Sequence, residues 1–184
     1  MNNGLIAVRY ATALLDFSNN AKVQALIYQE AKKVSQNFID LAMFKSILDN
    51  PVLDILKKKE VILLAAGGKV TVQFERFIDL VLENKRELYL KSILIRFIDL
   101  YRKQNNIFAA KLTSASDLDS PIEGKLVAAI EQHTGGTVEL QKFVDSYLIG
   151  GFLVEVDNSL WNASVSAQLE KLRLDYIEIN KSIL

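Results

Sequence analysis

The sequence predicts an α+β protein, an N-terminal six-helix bundle (1–105) followed by a small C-terminal α/β domain (106–184). Three observations predict it. Apolar residues recur at three- and four-residue steps as far as about residue 104. From Ile107 the period drops to two. The charge also changes sign there: residues 1–105 carry 16 Lys+Arg and 11 Asp+Glu, a net +5, and residues 106–184 carry 6 and 11, a net −5.

The first helix, Leu5 to Phe17, has an unusual wheel. Arg9, Thr12 and Asp16 share one narrow sector. The apolar residues spread over roughly 220°, where a helix with one buried face needs only about 100° or somewhat more. Ala7, Ala11, Leu14 and Leu15 are the expected inward seam. Ile6, Tyr10, Ala13 and Phe17 then need a second cover. Either the helix is central to its own domain or its outer half receives another protein's helix.

After Ser18-Asn19-Asn20, a second amphipathic helix carries Val23, Leu26, Ile27, Ala31 and Val34. Phe38 to Leu48 reads as a third, short helix, ended by Asp49-Asn50-Pro51, because proline disfavours helix at the residue before it. A fourth, from about Leu53 to Ala66, stops at Gly67-Gly68, where glycine can take the left-handed closing conformation. Its Lys57-Lys58-Lys59 run reads most simply as a solvated face, with a phosphate or lipid contact as the alternative. The fifth, about Val70 to Glu83, repeats the anomaly of the first: Phe74, Phe77, Ile78, Leu80, Val81 and Leu82 cover roughly 200°. Side by side, the surplus faces of helices one and five would form one groove. The sixth runs from about Glu87 to Gln104 with Leu90, Leu94, Phe97 and Tyr101 on one stripe.

In the second half, Ile107 to Ser116 alternates as a strand. Ser120-Pro121-Ile122-Glu123 reads as a capped helix start, and that helix closes at Gly135-Gly136 after His133. Thr137 to Val144 and Tyr147 to Asp157 read as two strands joined by a tight turn at Asp145-Ser146. Gly150-Gly151 predicts a bulge or a close backbone approach. A last helix from about Ser164 carries Val165, Leu169, Leu172, Tyr176 and Ile179 in a 4-3-4-3 stripe.

Composition excludes most chemistry. Half of the residues are hydrophobic, there is no cysteine, and there is one histidine. Disulfide frameworks and thiolate metal sites are therefore out. His133 sits where a helix dipole favours a cationic or polar residue. Gly67-Gly68-Lys69-Val70-Thr71 lacks the serine or threonine directly after Gly-Lys that a phosphate-binding loop needs. Asp117, Asp119 and Asp157 are carboxylates that nothing in the sequence makes converge. Asn162-Ala163-Ser164 is a glycosylation sequon only in form. The longest apolar run, Val61 to Ala66, is far short of the roughly 20 residues that span a bilayer. No signal peptide is evident at the N-terminus, and no basic stripe marks a nucleic-acid surface. No cofactor is expected, and the chain reads as a soluble, non-enzymatic protein.

The ordered set of short motifs resembles a known family. Arg9-Tyr10-Ala11 with Ala13-Leu14 opens the chain, and Asn50-Pro51 follows about forty residues later. Phe77 and Leu80 precede Glu83-Asn84-Lys85-Arg86. Ser114-Ala115 closes the first strand, Gly150-Gly151 leads to Asp157, and Asn162-Ala163-Ser164-Val165 precedes Leu169 and Leu172. In order and spacing the whole chain resembles the delta subunit of bacterial F-type ATP synthases, the counterpart of the mitochondrial oligomycin-sensitivity-conferring protein. One departure is Asn162-Ala163-Ser164 where the family often has Asp-Gly-Ser.

The resemblance implies a non-catalytic stator subunit, peripheral at the cytoplasmic face of the cell membrane without inserting into it. Its bundle would bind the N-terminal helix of an alpha subunit against helices one and five. Its C-terminal part would meet the C-terminal ends of the b subunits. Carried over by position, Tyr10, Ala13 and Leu80 fall on the family's partner face, and the wheel adds Ile6, Phe17 and Phe77. Asn84 and Arg86 are expected to fix the turn after helix five, with a direct partner role as the alternative. A stand-alone cytoplasmic α+β adaptor or regulator is the rival reading. In that case the protein's own side chains would seal the wide arcs and leave no exposed groove.

Overall fold

The computed structural model describes residues 3–117, 119–156 and 159–182, and the side chains of all of these but 3, 42, 120 and 175–182. Its contacts divide into two units, Met1–Asn105 and Asn106–Leu184.

In the first unit the elements run α1 (Asn3–Asn20), α2 (Gln24–Asp40), α3 (Ala42–Asp49), α4 (Ile55–Ala66), α5 (Val72–Glu83), a 3₁₀ turn (Glu87–Tyr89) and α6 (Leu90–Gln104). The helix α6 packs chiefly against α1 and α2. It buries Ile93, Leu94 and Phe97 against a core that includes Ala7, Ala11 and Leu14 of α1. Two alanines in that seam let backbones approach. Tyr28 of α2 stacks on Tyr101 at 4.3 Å, and its hydroxyl accepts from Arg102 Nε at 2.9 Å.

Ser18-Asn19-Asn20 does not end α1, which continues to Asn20. The buried Ser18 donates its hydroxyl to the Leu15 carbonyl at 2.7 Å, so its polarity is satisfied inside the helix. Phe38 and Ile39 belong to α2, not to the third helix, because the chain breaks at Leu41. Phe38 and Phe44 meet across that break at 4.6 Å, which is why the apolar period runs through it. Gly67 and Gly68 close α4 as expected, with φ of 117° and 80°, and Gly68 N–H donates to the Leu63 carbonyl at 2.9 Å.

The helix α5 starts with a double cap. Thr71 Oγ1 accepts from Phe74 N–H at 3.3 Å. The Glu30 carboxylate on α2 accepts from Thr71 N–H at 2.6 Å and from its hydroxyl at 2.9 Å. A carboxylate at a helix N-terminus also opposes the positive end of the dipole. Glu30 thereby fixes where α5 begins relative to α2.

The second unit holds β1 (Ile107–Ser114), α7 (Ser120–Thr134), β2 (Thr137–Val144), β3 (Phe152–Val156), β4 (Ser159–Asn162) and α8 (Val165–Ser182). The sheet order is β2-β1-β3-β4. Here the pairing differs from expectation. The strand β2 runs parallel to β1, Ile107 opposite Thr137, and β3 pairs antiparallel with β1, Leu112 opposite Val154. A helix between two strands returns the second parallel to the first. The Asp145-Ser146 turn therefore opens a longer connection instead of closing a hairpin. The third strand begins at Phe152, not Tyr147. Ser159–Asn162 is a fourth strand paired with β3, Val154 opposite Trp161; Asp157 and Asn158 lie outside the described residues.

The core of this unit gathers Ala110, Leu112, Ile130, Val154 and Val156. The cap of α7 is Asp119, one residue before the expected Ser120, with Pro121 in the first turn. Gly151 meets the expectation of a close approach. With φ at 81°, a Cβ there would lie 2.2 Å from the Ala163 carbonyl oxygen.

Candidate protein-docking groove

Helices α1 and α5 lie side by side, Tyr10 meeting Phe77 edge-to-face at 6.5 Å between ring centroids. Beside that contact opens a groove of about 320 Å³ lined by Ala13, Leu14, Phe17, Arg76, Phe77 and Leu80. Phe17 is 40% exposed and Leu80 47%, whereas Phe77 is 6% exposed and forms the floor. Ala13 is exposed between them, and its small side chain leaves the space that Phe17 and Leu80 flank.

Four of the six residues expected from the sequence, Ala13, Phe17, Phe77 and Leu80, line this groove. Tyr10 is half-buried and touches it through Phe77. Ile6 is half-buried and is not among the lining residues. Leu14, expected in the inward seam, is buried and also reaches the groove wall. Arg76 was the residue the pattern missed. The one signal for it in the sequence is its position four residues before Leu80, one helical turn away. The rival reading required these arcs to be sealed from within, and the exposure of Phe17 and Leu80 is opposed to that.

The ends and back of α5 are held firmly. Asn84 Nδ2 donates to the Leu80 carbonyl at 2.7 Å. Lys85 takes a left-handed φ of 54°, and Arg86 N–H donates to the Val81 carbonyl at 2.9 Å. The Arg86 guanidinium lies over the Tyr89 ring at 5.9 Å. Asn84 and Arg86 thus shape the turn, as expected.

The Lys57-Lys58-Lys59 run is not simply a solvated face. Lys57 is exposed. Lys58 is buried and pairs with Glu87 at 2.8 Å. Lys59 reaches Glu75 and Asp79 of α5, each at 2.8 Å. Burial pushes the Glu87 carboxyl up, but the hydrogen bond from Lys58, helped by the Glu87 backbone, outweighs it and holds the group below its ordinary value. The bonds to Asp79 and Glu75 raise Lys59 above its own. Successive helical residues point about 100° apart, so the three lysines face different surroundings, and the sequence could not show that acidic partners stood opposite two of them.

A second apolar hollow, of about 420 Å³, lies among Leu41, Met43, Phe44, Ile47, Val61 and Leu64. His133 is exposed in the last turn of α7, its ring 5.2 Å from Trp161. Asp117 and Asp119 are exposed. Among the described residues no three His, Cys, Asp or Glu side chains converge to hold a metal, and no helix is long and apolar enough to cross a membrane. Leu169 and Leu172 of α8 are 57% and 64% exposed, so these two positions of the stripe are not core; the side chains of Tyr176 and Ile179 lie outside the described ones.

The family described as ATP synthase delta (OSCP) subunit matches residues 6–175. The chain belongs to the ATP synthase delta/OSCP family. It is 36% identical to the ATP synthase subunit delta of Phocaeicola vulgatus over 182 residues, covering 98% of each chain. It is 32% identical to that of Bacteroides fragilis over 186 residues and all of both chains. That of Prochlorococcus marinus is 33% identical over 175 residues, 95% of this chain and 96% of the relative. A chain in the cryo-EM structure of the Toxoplasma gondii mitochondrial ATP synthase hexamer superposes with a TM-score of 0.68. It shares 19% identity and covers 93% of this chain and 97% of that one. At that identity the likeness speaks for the fold alone.

Delta/OSCP membership makes this chain a structural subunit of the F-type synthase stator, not a catalytic one. Its alpha and b subunits are partners at the level of the complex.

Proposed function

We propose that residues 1–105 act as a six-helix bundle on the catalytic head, with the N-terminal helix of an alpha subunit lying in the groove between α1 and α5. The observation that carries this is the apolar groove itself, in which Phe17 and Leu80 are exposed on either side of Ala13 over the Phe77 floor. An amphipathic helix laid there covers both side chains. Full burial of each is worth about 1.5–3 kcal/mol, so partial exposure leaves roughly half of that to be gained on docking.

Residues 106–184 take the C-terminal ends of the b subunits, a reading supported by the exposed Leu169 and Leu172 of α8. The subunit then ties head to peripheral stalk on the cytoplasmic face of the membrane, without inserting, and keeps the head still against rotor torque.

Calorimetric titration with a peptide of the alpha subunit's N-terminal segment tests the reading. Saturable one-to-one binding is expected, weakened at least about tenfold by Leu80→Asp and by Tyr10→Asp. Circular dichroism checks that both variants remain folded. No binding by the folded wild-type protein overturns the docking.

A further inference from the structure

We infer that Arg76 selects and registers the docked helix by charge, demanding an Asp or Glu on the flank of the helix's apolar face. The inference rests on the docking proposed above. Arg76 lines the groove with Ala13, Phe17 and Leu80. It is exposed, and it makes no hydrogen bond or ion pair with any described residue. Its acidic neighbours on α5, Glu75 and Asp79, both bond Lys59 of α4. The guanidinium therefore enters no ion pair among the described residues where it stands at the mouth of the apolar groove.

A helix that covers the groove strips water from Arg76. That is costly for a charge left alone and recovered when a carboxylate arrives with it. A helix presenting lysine or arginine at this point is rejected, and one presenting an apolar residue is penalised. The first unit's net charge of +5 acts in the same direction at longer range, favouring the approach of an acidic segment. The apolar walls supply grip, and Arg76 supplies register, since a one-residue slip turns the partner's carboxylate by about 100° away from it.

The test is titration of the same alpha-subunit peptide into wild type, R76Q and R76E at low and moderate salt. A peptide set in which each acidic residue in turn becomes lysine completes it. R76E is expected to weaken binding roughly tenfold and R76Q about threefold, with a shallower salt dependence in both. One lysine-substituted peptide should restore binding to R76E while losing affinity for wild type. Equal binding of wild type and R76E at both salts overturns the role of Arg76 and leaves the groove standing. Weakening that no substituted peptide rescues also overturns it, reducing the effect to the unit's general positive field. No binding by wild type removes the groove reading and this inference together.

Discussion

Glu30 and Gly151 each hold a junction that no neighbouring residue could replace. Glu30 bridges α2 to the first residue before α5, across 41 positions of sequence. Glu30→Ala leaves the Thr71 N–H and hydroxyl without their acceptor. The thermal transition should show a loss of about 1–3 kcal/mol, with Glu30→Gln intermediate. Gly151→Ala places a methyl on the Ala163 carbonyl at a left-handed φ. It should destabilise the second unit by roughly 1–3 kcal/mol or more, read by fluorescence of the single tryptophan, Trp161. The two cases also mark what sequence can convey at this scale. Gly67-Gly68 and Gly150-Gly151 were legible because a glycine pair punctuates its own backbone. Glu30 was illegible because its partner is near only in space, and Arg76 because its importance depends on which helix lies beside it.

Between elements, the pairing of Lys58 with Glu87 ties α4 to the turn before α6. Glu87 has its folded pKa held below the ordinary 4.5. Its contribution is therefore present above pH 4.5 and fades as pH falls through the lowered value. The melting temperature of wild type should exceed that of Glu87→Gln near pH 6, and the gap should close as pH drops toward 3. Glu87→Ala at neutral pH should cost about 2 kcal/mol, below the roughly 3–5 of a fully buried broken pair. Helices were readable from their apolar period and stops, and so was the neighbourhood of α1 and α5, since two surplus faces in one bundle invite each other. The strands β1 and β2 were readable singly, β3 only as the second half of a longer expected strand and β4 not at all, and none of them as a sheet. Register and partner are non-local, and Ser159–Asn162 is too short to show a period. The wheel also could not tell that Phe77 would be floor while Leu80 stayed at the rim.

The whole molecule is two units with separate cores, and Trp161 reports only on the second. Phe97→Ala removes a fully buried ring from the first unit, at a cost of about 3–5 kcal/mol. The far-ultraviolet dichroism transition of the helices should move down while the Trp161 fluorescence transition stays where it is. A single shared shift would mean that the units unfold as one. The boundary near residue 105 was visible as a change of period and of charge, because each unit needs its own buried face.

A last consequence follows from α8, whose Leu169, Leu172 and Leu174 face water in the isolated chain. Uncovered leucines on a helix are what chaperones hold and proteases seize. If the b subunits cover them as proposed, a copy made in excess of its assembly is expected to turn over faster than an assembled one in a pulse-chase measurement.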